Sequence, residues 1–297
     1  MKLIDVNDLG SFAHFRGRRG KIAAEFLLKL ISIDRVNEIY YRNSRYTGTE
    51  FTSHLLNGLG VTYSIGNAER LRSLPEGAFI TISNHPYGGI DGIMLVDLFA
   101  GIRRDYRLMV NKLLSMVRTL EGNFISVDPA GNKKKGISGE SLNGIRETLS
   151  RLRDGHPVGF FPSGAVSDLS LKDRCIRDRK WQDSIIHLIR KAEVPILPVR
   201  FFDRNSALFY LLGLIDWRVR VLRQPSELFN KKGHQARIGL GRVITVEEQS
   251  AIRDYESFGA FLRKAVYEMP LPDRFIPYNF IRSELASSPV QEFSRAE

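Results

Sequence analysis

The chain has 297 residues, 43% hydrophobic and 26% charged, which is enough apolar sequence for a hydrophobic core and excludes disorder throughout. Its 44 Lys and Arg outnumber its 33 Asp and Glu, giving a net charge of +11. This charge predicts an anionic partner, such as nucleic acid, lipid head groups or an acidic carrier.

Cysteine content and hydropathy restrict the cellular setting. The single cysteine excludes an internal disulfide bond and favours a reducing compartment. No apolar run reaches the length of about 18 to 20 residues that a membrane-spanning helix needs. The polar N-terminus is not typical of a signal peptide. We therefore expect any membrane contact to be peripheral.

The N-terminal segment, 1–59, is predicted to be basic and helical. Residues 1–20 are polar and rich in arginine, 21–33 carry an apolar helical stripe, and 34–44 form a second helix with Asp34 as its cap. A third short helix is predicted near 49–58. The segment can be a solvated tail with helices packed on the domain, or an anchor on anionic lipid.

A buried strand and a glycine-rich turn form the most informative stretch of the sequence. Phe79–Ile82 is a short apolar run that predicts a strand. His85 and Asp91 follow it in a turn with several glycines, before a helix predicted over 91–100. This is where α/β folds place their ligands.

His85 and Asp91 together suggest general-base chemistry. A neutral imidazole is the usual base near neutral pH, and a carboxylate on its other ring nitrogen fixes the tautomer. The chain has no GxSxG pattern and its cysteine lies in a charged run. The pair is therefore predicted to activate a substrate hydroxyl or amine for direct acyl transfer. The alternative is structural, with His85 capping the turn and Asp91 as the N-cap of the helix.

The stretch NHPYGGIDG, residues 84–92, resembles the first motif of the glycerolipid (lysophospholipid-type) acyltransferases. It is most similar to their hemolysin-like branch, which includes acyltransferases of amino-acid-containing lipids. The family motif has four residues between His and Asp, whereas five separate His85 from Asp91; an extra glycine can absorb the insertion. The resemblance implies that His85 and Asp91 are catalytic. The substrate-binding residues that it implies here are Asn84, Gly88 and Gly89.

Strands and helices alternate after this motif. The predicted elements are a strand over 106–111, a helix over 112–120, a strand over 123–129 and a helix over 138–154. The family's second motif commonly carries an arginine after a Phe-Ile strand, but Val127 and Asp128 stand at that place, so no arginine is carried over. The basic loop 129–140 contains Lys133 and Lys134, which suit a phosphate or an acidic carrier. The alternative is a solvated loop.

Residues 156–168, HPVGFFPSGAVSD, predict a strand and a tight turn and are similar to the family's third motif, Phe-Pro-Glu-Gly-Thr-Arg. Ser163 replaces the Glu, and Ala165 and Val166 replace the Thr-Arg pair. In the family the Glu and Arg help bind the acceptor's phosphate, so their absence argues against glycerol 3-phosphate or a simple lysophosphatidate. The hemolysin-like branch carries similar variants. The implied substrate-binding residues are Phe161, Pro162, Ser163, Gly164 and Ser167, the serines and turn amides as hydrogen-bond donors.

The C-terminal part contains a basic cluster and an unusually apolar helix. Basic residues over 172–180, beside Trp181, suit a head-group or carrier surface, or form a solvated loop. Residues 206–217 predict either a buried helix or a lid or membrane-dipping element over an acyl tunnel. The other predicted elements are a helix over 181–192, a strand over 194–206 that resembles the fourth motif, strands over 217–229 and 234–248, a helix over 255–268, and an irregular tail from Pro270.

The pattern predicts an α/β fold: one three-layer domain with a mostly parallel central sheet over 60–269, between the N-terminal segment 1–59 and a tail 270–297. The resemblance covers about 60–205. It implies an acyltransferase-type domain and an O-acyltransferase that uses an acyl thioester, on acyl carrier protein or coenzyme A, and a lyso-lipid acceptor such as a mono-acylated amino-acid lipid. It also implies a peripheral enzyme on the cytoplasmic face of the inner membrane that consumes no cofactor.

Two other classes remain open at this point. A hydrolase would use the same His–Asp pair to activate water, and a non-catalytic membrane-binding protein would need only the basic surface. No metal-ligand spacing is found. Nucleic acid is not an expected partner, because the basic residues are dispersed and no nucleic-acid-binding module is recognisable.

Overall fold

The computed structural model describes residues 32–111, 114–127 and 139–287. The predicted basic N-terminus and most of the first predicted helix lie outside the described residues. The same is true of Lys133 and Lys134.

The helices and strands are numbered here in chain order. The described helices are α1 (Ile33–Asn43), α2 (Gly48–Leu59), α3 (Gly89–Leu95), α4 (Gly139–Arg153), α5 (Asp183–Ala192), α6 (Ala207–Ile215), α7 (Trp217–Phe229), α8 (Val246–Ser250), α9 (Tyr255–Tyr267) and α10 (Tyr278–Ser287). The described strands are β1 (Thr62–Gly66), β2 (Ile80–Ser83), β3 (Arg107–Asn111), β4 (Phe124–Val127), β5 (Val158–Phe160), β6 (Asp168–Ser170), β7 (Cys175–Arg177), β8 (Ile196–Phe201), β9 (Gln235–Leu240) and β10 (Phe275–Pro277).

Within the described residues, eight of the strands form one sheet in the order β10-β1-β9-β8-β2-β5-β3-β4. The pairs β1–β9, β8–β2, β2–β5, β5–β3 and β3–β4 are parallel. The pairs β10–β1 and β8–β9 are antiparallel. β2 lies between β5 and β8, so the carboxyl ends of these three parallel strands meet at one edge of the sheet.

Helices cover both faces of the sheet, and buried apolar side chains in β2 and directly before it lie toward each face. Ile80 and Ile82 are fully buried in one core with Phe258 of α9. Phe79 points to the opposite face and is buried in a second core with Phe99. Near-continuous apolar runs are what parallel strands need when they are covered on both sides. The predicted three-layer α/β fold with a mostly parallel sheet is confirmed.

The strand predicted over 217–229 was wrong, since these residues form helix α7. Alternating Arg and Val suggested a strand. Arg220, Gln224 and Glu227 follow one another at spacings of four and three, so a helix turns all of them toward the domain. Arg220 and Glu227 are buried there. These tertiary contacts outweigh the local alternation.

Other boundaries also differ from the prediction. The helix predicted over 112–120 is replaced, where described, by 3-10 turns at Leu114–Met116 and Arg118–Asn123, in the short connection between neighbouring strands. Asp34 lies in the first turn of α1 and Ser32 occupies the N-cap position. The strand predicted over 234–248 ends at Leu240.

The segment after Pro270 was predicted to be irregular, which was wrong for the residues that form β10 and α10. β10 pairs antiparallel with β1, with Ile276 opposite Ile65. The hydroxyl of Tyr278 donates to the carbonyl of Asp97, 3.0 Å away. The segment therefore closes one edge of the sheet.

Candidate active site

His85 and Asp91 are brought into contact where β2 ends and α3 begins. Nδ1 of His85 lies 2.9 Å from Oδ2 of Asp91. The same oxygen accepts hydrogen bonds from the backbone N–H groups of Tyr87 at 2.9 Å and Gly88 at 3.0 Å. Gly88 is the N-cap residue of α3 and Asp91 is its third residue. Asp91 therefore caps the helix and orients the imidazole at once.

The environment of the pair suits a base held by a carboxylate. The side chain of Asp91 is fully buried, whereas that of His85 is 13% exposed. Burial raises the pKa of Asp91, and hydrogen bonds from His85 and the two backbone amides oppose that rise. If Nδ1–H donates to Asp91, Nε2 is the ring atom that can accept a proton.

A second contact fixes the plane of the imidazole. The ring of His85 stacks on the ring of Phe161, with centroids 4.0 Å apart and an interplanar angle of 25°. Phe161 directly follows β5, the parallel neighbour of β2. The predicted first and third motifs therefore meet at the carboxyl ends of adjacent strands.

Asn84 connects the end of β2 to the end of β8. Its Nδ2 donates to the carbonyl of Phe201 at 2.9 Å, and its Oδ1 accepts from the Phe201 N–H at 2.8 Å. Both polar groups of the amide thus hold β8 next to the turn of residues 84–91, which we call the catalytic turn after its predicted role. Substrate binding by Asn84 stays a prediction.

Gly88 is required by the turn, whereas Gly89 is not. Gly88 has a φ of +90°, and a Cβ atom there would lie 1.6 Å from Nε2 of Gln224. A Cβ atom on Gly89 would make only an ordinary contact with Leu114, at 3.7 Å. The close approach at Gly88 exists because Gln224, from α7, donates from Nε2 to the carbonyl of Tyr87 at 2.7 Å.

The serine hydroxyls in the turn of the third motif donate hydrogen bonds within the protein. Ser163 donates to the carbonyl of Ala165 at 2.7 Å, and Ser167 donates to Oδ1 of Asp178 at 2.6 Å. Gly164 has a φ of +63°, and its N–H donates to the carbonyl of Phe161. Pro162 accepts from the N–H of Gln182. These groups shape the turn, and their contact with substrate stays a prediction.

Asp178 joins the two motifs and was missed in the sequence. Its Oδ1 accepts from the backbone N–H of His85 at 3.1 Å and from Ser167 Oγ, while its Oδ2 accepts from Trp181 Nε1 at 3.3 Å. The N–H of Ser167 in turn donates to the carbonyl of His85 at 2.9 Å. Asp178 lies in a charged run with no motif, so only the fold reveals its position.

Helices α6 and α7 both contact the catalytic turn, α6 from the segment predicted as a possible lid and α7 from the segment predicted as a strand. Tyr210 donates from its hydroxyl to the carbonyl of Pro86 at 3.2 Å. Arg220 donates to the carbonyl of Ser167 at 3.2 Å and forms an ion pair with Asp168. Burial lowers the pKa of Arg220. Because 217–229 was predicted as a strand, these contacts could not be anticipated.

With the geometry established, comparison with known proteins identifies the family. The family model described as acyltransferase matches residues 13–271. This chain belongs to the acyltransferase family. The match includes every described residue of the site.

Two curated relatives resemble this acyltransferase over most of its length. Lyso-glycine lipid O-acyltransferase from Bacteroides thetaiotaomicron is 23% identical over 84% of this chain and 90% of its own length. The protein of the same name from Phocaeicola vulgatus is 21% identical over 84% and 88%, respectively. The crystal structure of PlsC, the 1-acyl-sn-glycerophosphate (LPA) acyltransferase from Thermotoga maritima, has a TM-score of 0.48 at 13% identity, covering 90% of this chain and 89% of that chain.

A buried carboxylate fixes α6 against α7 in this acyltransferase. Glu227 accepts from the N–H of Ser206 at 3.1 Å, from the Ser206 hydroxyl at 2.7 Å and from Lys231 Nζ at 3.3 Å. Burial by itself raises the pKa of Glu227, but the hydrogen bonds from Ser206 and the charge of Lys231 hold it below its ordinary value. Lys231 also lies over the ring of Tyr87, 5.1 Å from its centroid.

Tyr87, inside the catalytic turn, is held from the far side by His234. The Tyr87 hydroxyl and His234 Nε2 are 2.7 Å apart. Burial lowers the pKa of His234 and raises that of Tyr87. The turn is therefore held by Tyr210 of α6, Gln224 of α7 and His234, which directly precedes β9.

Metal-ligand clusters and membrane-spanning helices can be assessed for the part of the chain that the structure describes. Within it, no group of three or more His, Cys, Asp or Glu side chains could hold a metal ion. None of the helices there combines the length and the apolar character needed to span a bilayer.

Proposed function

We propose that this acyltransferase moves a fatty acyl group from an acyl thioester to the hydroxyl of a lyso-lipid, and that the acceptor is a mono-acylated amino-acid lipid. The observation that carries the proposal is the 2.9 Å contact between His85 Nδ1 and Asp91 Oδ2 in a chain of this family. The names of the two curated relatives support an aminolipid acceptor.

The reaction follows from the roles of the two side chains. Nε2 of His85 takes the proton of the acceptor hydroxyl as that oxygen attacks the thioester carbonyl carbon. Asp91 keeps the imidazole in position and stabilises the imidazolium. The tetrahedral intermediate then collapses, the C–S bond breaks, and the thiolate takes the proton from His85. An ester and a free thiol leave the enzyme, and no covalent enzyme intermediate forms.

The third motif favours an acceptor other than a glycerophosphate. Ser163 and Val166 stand where the general family carries the Glu and Arg that help bind phosphate. The turn thus offers neither a carboxylate nor a guanidinium of its own at these positions. An amino-acid lipid, which has no phosphate beside its hydroxyl, fits this change.

The acyl donor is acyl carrier protein or coenzyme A, and the enzyme acts peripherally on the cytoplasmic face of the inner membrane. Both donors are anionic, as is the membrane surface, and a net charge of +11 attracts each of them. The thioester supplies the activated acyl group, so no further cofactor is consumed.

Product analysis tests this function. The purified protein is incubated with an acyl thioester and either a lyso-glycine lipid or lysophosphatidate, and the lipids are resolved by mass spectrometry. We expect a diacylated aminolipid, one free thiol per ester formed, and little product from lysophosphatidate. Free fatty acid as the main product would replace the transferase with a hydrolase.

A further inference from the structure

Helix α6 presents an apolar face to solvent as well as to the protein. Leu208 is 49% exposed, Leu211 53% and Ile215 79%, at spacings that place them on one side of the helix. Phe209 and Tyr210 are buried on the other side. The helix therefore is not the fully buried helix that was one of the two predictions for 206–217. Packing against the residues that the structure describes does not account for its outer face.

The exposed face continues beyond α6. Leu214 is 43% exposed, and Trp217 and Val221 at the start of α7 are 57% and 50% exposed. We call Leu208, Leu211, Leu214, Ile215, Trp217 and Val221 the hairpin surface. Helix α6 contains no charged residue, so its part of the hairpin surface is uninterrupted by charge, and Asp216 separates it from the part on α7.

The basic β-hairpin of β6 and β7 lies beside the hairpin surface of α6 and α7. Strand β6 packs against α6, and the turn between β6 and β7 carries Leu171, which is 69% exposed. Lys172 and Arg174 follow in the same turn and are exposed. Apolar side chains flanked by cations match the interface of a bilayer, where acyl chains lie beneath anionic head groups.

The two helices that carry the hairpin surface contact the catalytic turn through other residues, which face the domain. Tyr210 and Gln224 donate to the carbonyls of Pro86 and Tyr87. Arg220 donates to the carbonyl of Ser167. A membrane in contact with α6 would thus lie on the element that covers His85.

We propose that the hairpin surface docks in the interface of a bilayer that contains anionic phospholipid, so that a lyso-lipid reaches His85 without crossing water. The occupant is anionic lipid because, in the β6–β7 hairpin beside the apolar face, the exposed cations Lys172, Arg174 and Arg177 outnumber the single exposed acid, Asp173. The inference rests on the proposed function for its biological purpose, but docking itself can be measured without acyl transfer.

Site-specific fluorescence tests the docking. The chain has one cysteine, Cys175, so a Cys175→Ser background accepts a single label. An environment-sensitive nitrobenzoxadiazole probe is attached at Leu211→Cys and, as a control, at Leu271→Cys, where the native side chain is 58% exposed outside the hairpin surface. Vesicles are phosphatidylcholine alone or with roughly one-third phosphatidylglycerol.

We expect a blue shift and a several-fold increase in emission at position 211 with anionic vesicles, reversed by lipids that carry a quencher in the acyl chain. Position 271 should not respond. No response at 211, or an equal response at both positions, would overturn the proposal. A response at 211 that grows with protein concentration in the absence of vesicles would identify a second copy of this chain as the occupant, and would overturn it too.

A variant with two aspartates on the hairpin surface separates docking from catalysis. The variant Leu211→Asp/Ile215→Asp is compared with Leu271→Asp/Phe280→Asp, whose native side chains are similarly exposed. We expect the first variant to lose about tenfold in transfer to a vesicle-borne acceptor and to keep its rate on a detergent-dispersed one. Equal loss on both acceptors would contradict the docking role. Absence of transfer by the wild type in detergent would remove the proposed function, while the fluorescence result would still decide docking.

Discussion

Nδ1 of His85 and Oδ2 of Asp91 lie 2.9 Å apart although five residues separate them, one more than in the motif that the turn resembles. Gly88, with φ at +90° and ψ at −134°, adopts a backbone conformation that favours glycine just before α3. Asp91 consequently accepts from His85 and from two backbone amides on one oxygen. The longer spacing is compatible with a base held by a carboxylate.

Replacing Asp91 by Asn should separate its charge from its hydrogen bonds. The amide oxygen of Asn can accept from His85 and from the N–H groups of Tyr87 and Gly88, but it cannot stabilise an imidazolium. We expect Asp91→Asn to lower kcat by about 10²- to 10⁴-fold with KM little changed. Thermal unfolding serves as the control, and a kcat near that of the wild type would exclude the orienting carboxylate.

Asp178 should behave as a positioning residue. Its carboxylate accepts from the N–H of His85, from Ser167 and from Trp181 Nε1, so Asp178→Ala removes the acceptor of all three and should lower the free energy of unfolding by about 1 to 3 kcal/mol. We expect kcat to fall more than KM rises, and Asp178→Asn to restore part of both losses.

Asp183, in contrast, lies exposed at the start of α5 and pairs with Lys180. Asp183→Ala is the matched control and should change neither kcat nor unfolding appreciably. Equal effects of the two alanine variants would argue that Asp178 has no special link to the catalytic turn.

Gly88 should not tolerate a side chain. Alanine there must adopt a positive φ, and it must displace the Gln224 amide from the carbonyl of Tyr87. Because φ is +90° and ψ is −134°, this conformation is open to glycine and strained by about 1 to 3 kcal/mol for other residues. We expect Gly88→Ala to reduce stability and to reduce kcat by at least about tenfold, because the turn carries His85. Gly77, where a Cβ atom meets nothing within 4 Å, provides the control. Similar kcat values for Gly88→Ala and Gly77→Ala would contradict this account.

The sequence was sufficient for those features that local pattern encodes. Apolar runs such as Phe79–Ile82 predicted the strands of a mostly parallel sheet, and the glycine-rich turn marked where His85 and Asp91 stand. Asp178 and Gln224 were not recognised, because their partners are 93 and 137 residues away in the chain. Helix α7 was mistaken for a strand, because the tertiary contacts that bury Arg220 and Glu227 on one side of the helix are not visible in the local sequence.

Stability should fall on acidification in two stages. Burial lowers the pKa of His234 from its ordinary 6.5, so the unfolded chain binds the proton more readily and the free energy of unfolding decreases as pH falls below that value. The pKa of Glu227 lies below its ordinary 4.5, because hydrogen bonds and Lys231 outweigh burial. Its contribution is present above pH 4.5 and is lost as pH falls through the folded pKa.

Denaturant unfolding across this pH range checks both stages. His234→Gln should flatten the profile in the upper stage and Glu227→Gln in the lower one. Glu227→Gln should also lower the free energy of unfolding at neutral pH by about 2 kcal/mol, because its hydrogen bonds to Ser206 lose their charge. Profiles parallel to that of the wild type would show that neither group has a shifted pKa.

The rate of acyl transfer from a thioester to a lyso-aminolipid, measured for the wild type and for His85→Ala, tests the central claim most directly. His187→Ala is the control, because His187 is exposed on α5 and stacks near Tyr255, away from the catalytic turn. We expect the rate of His85→Ala to be lower than that of the wild type by a factor of about 10² to 10⁴ or more, with the fold retained. We expect His187→Ala to keep the wild-type rate. A folded His85→Ala protein with near-normal turnover would contradict a mechanism in which His85 is the base.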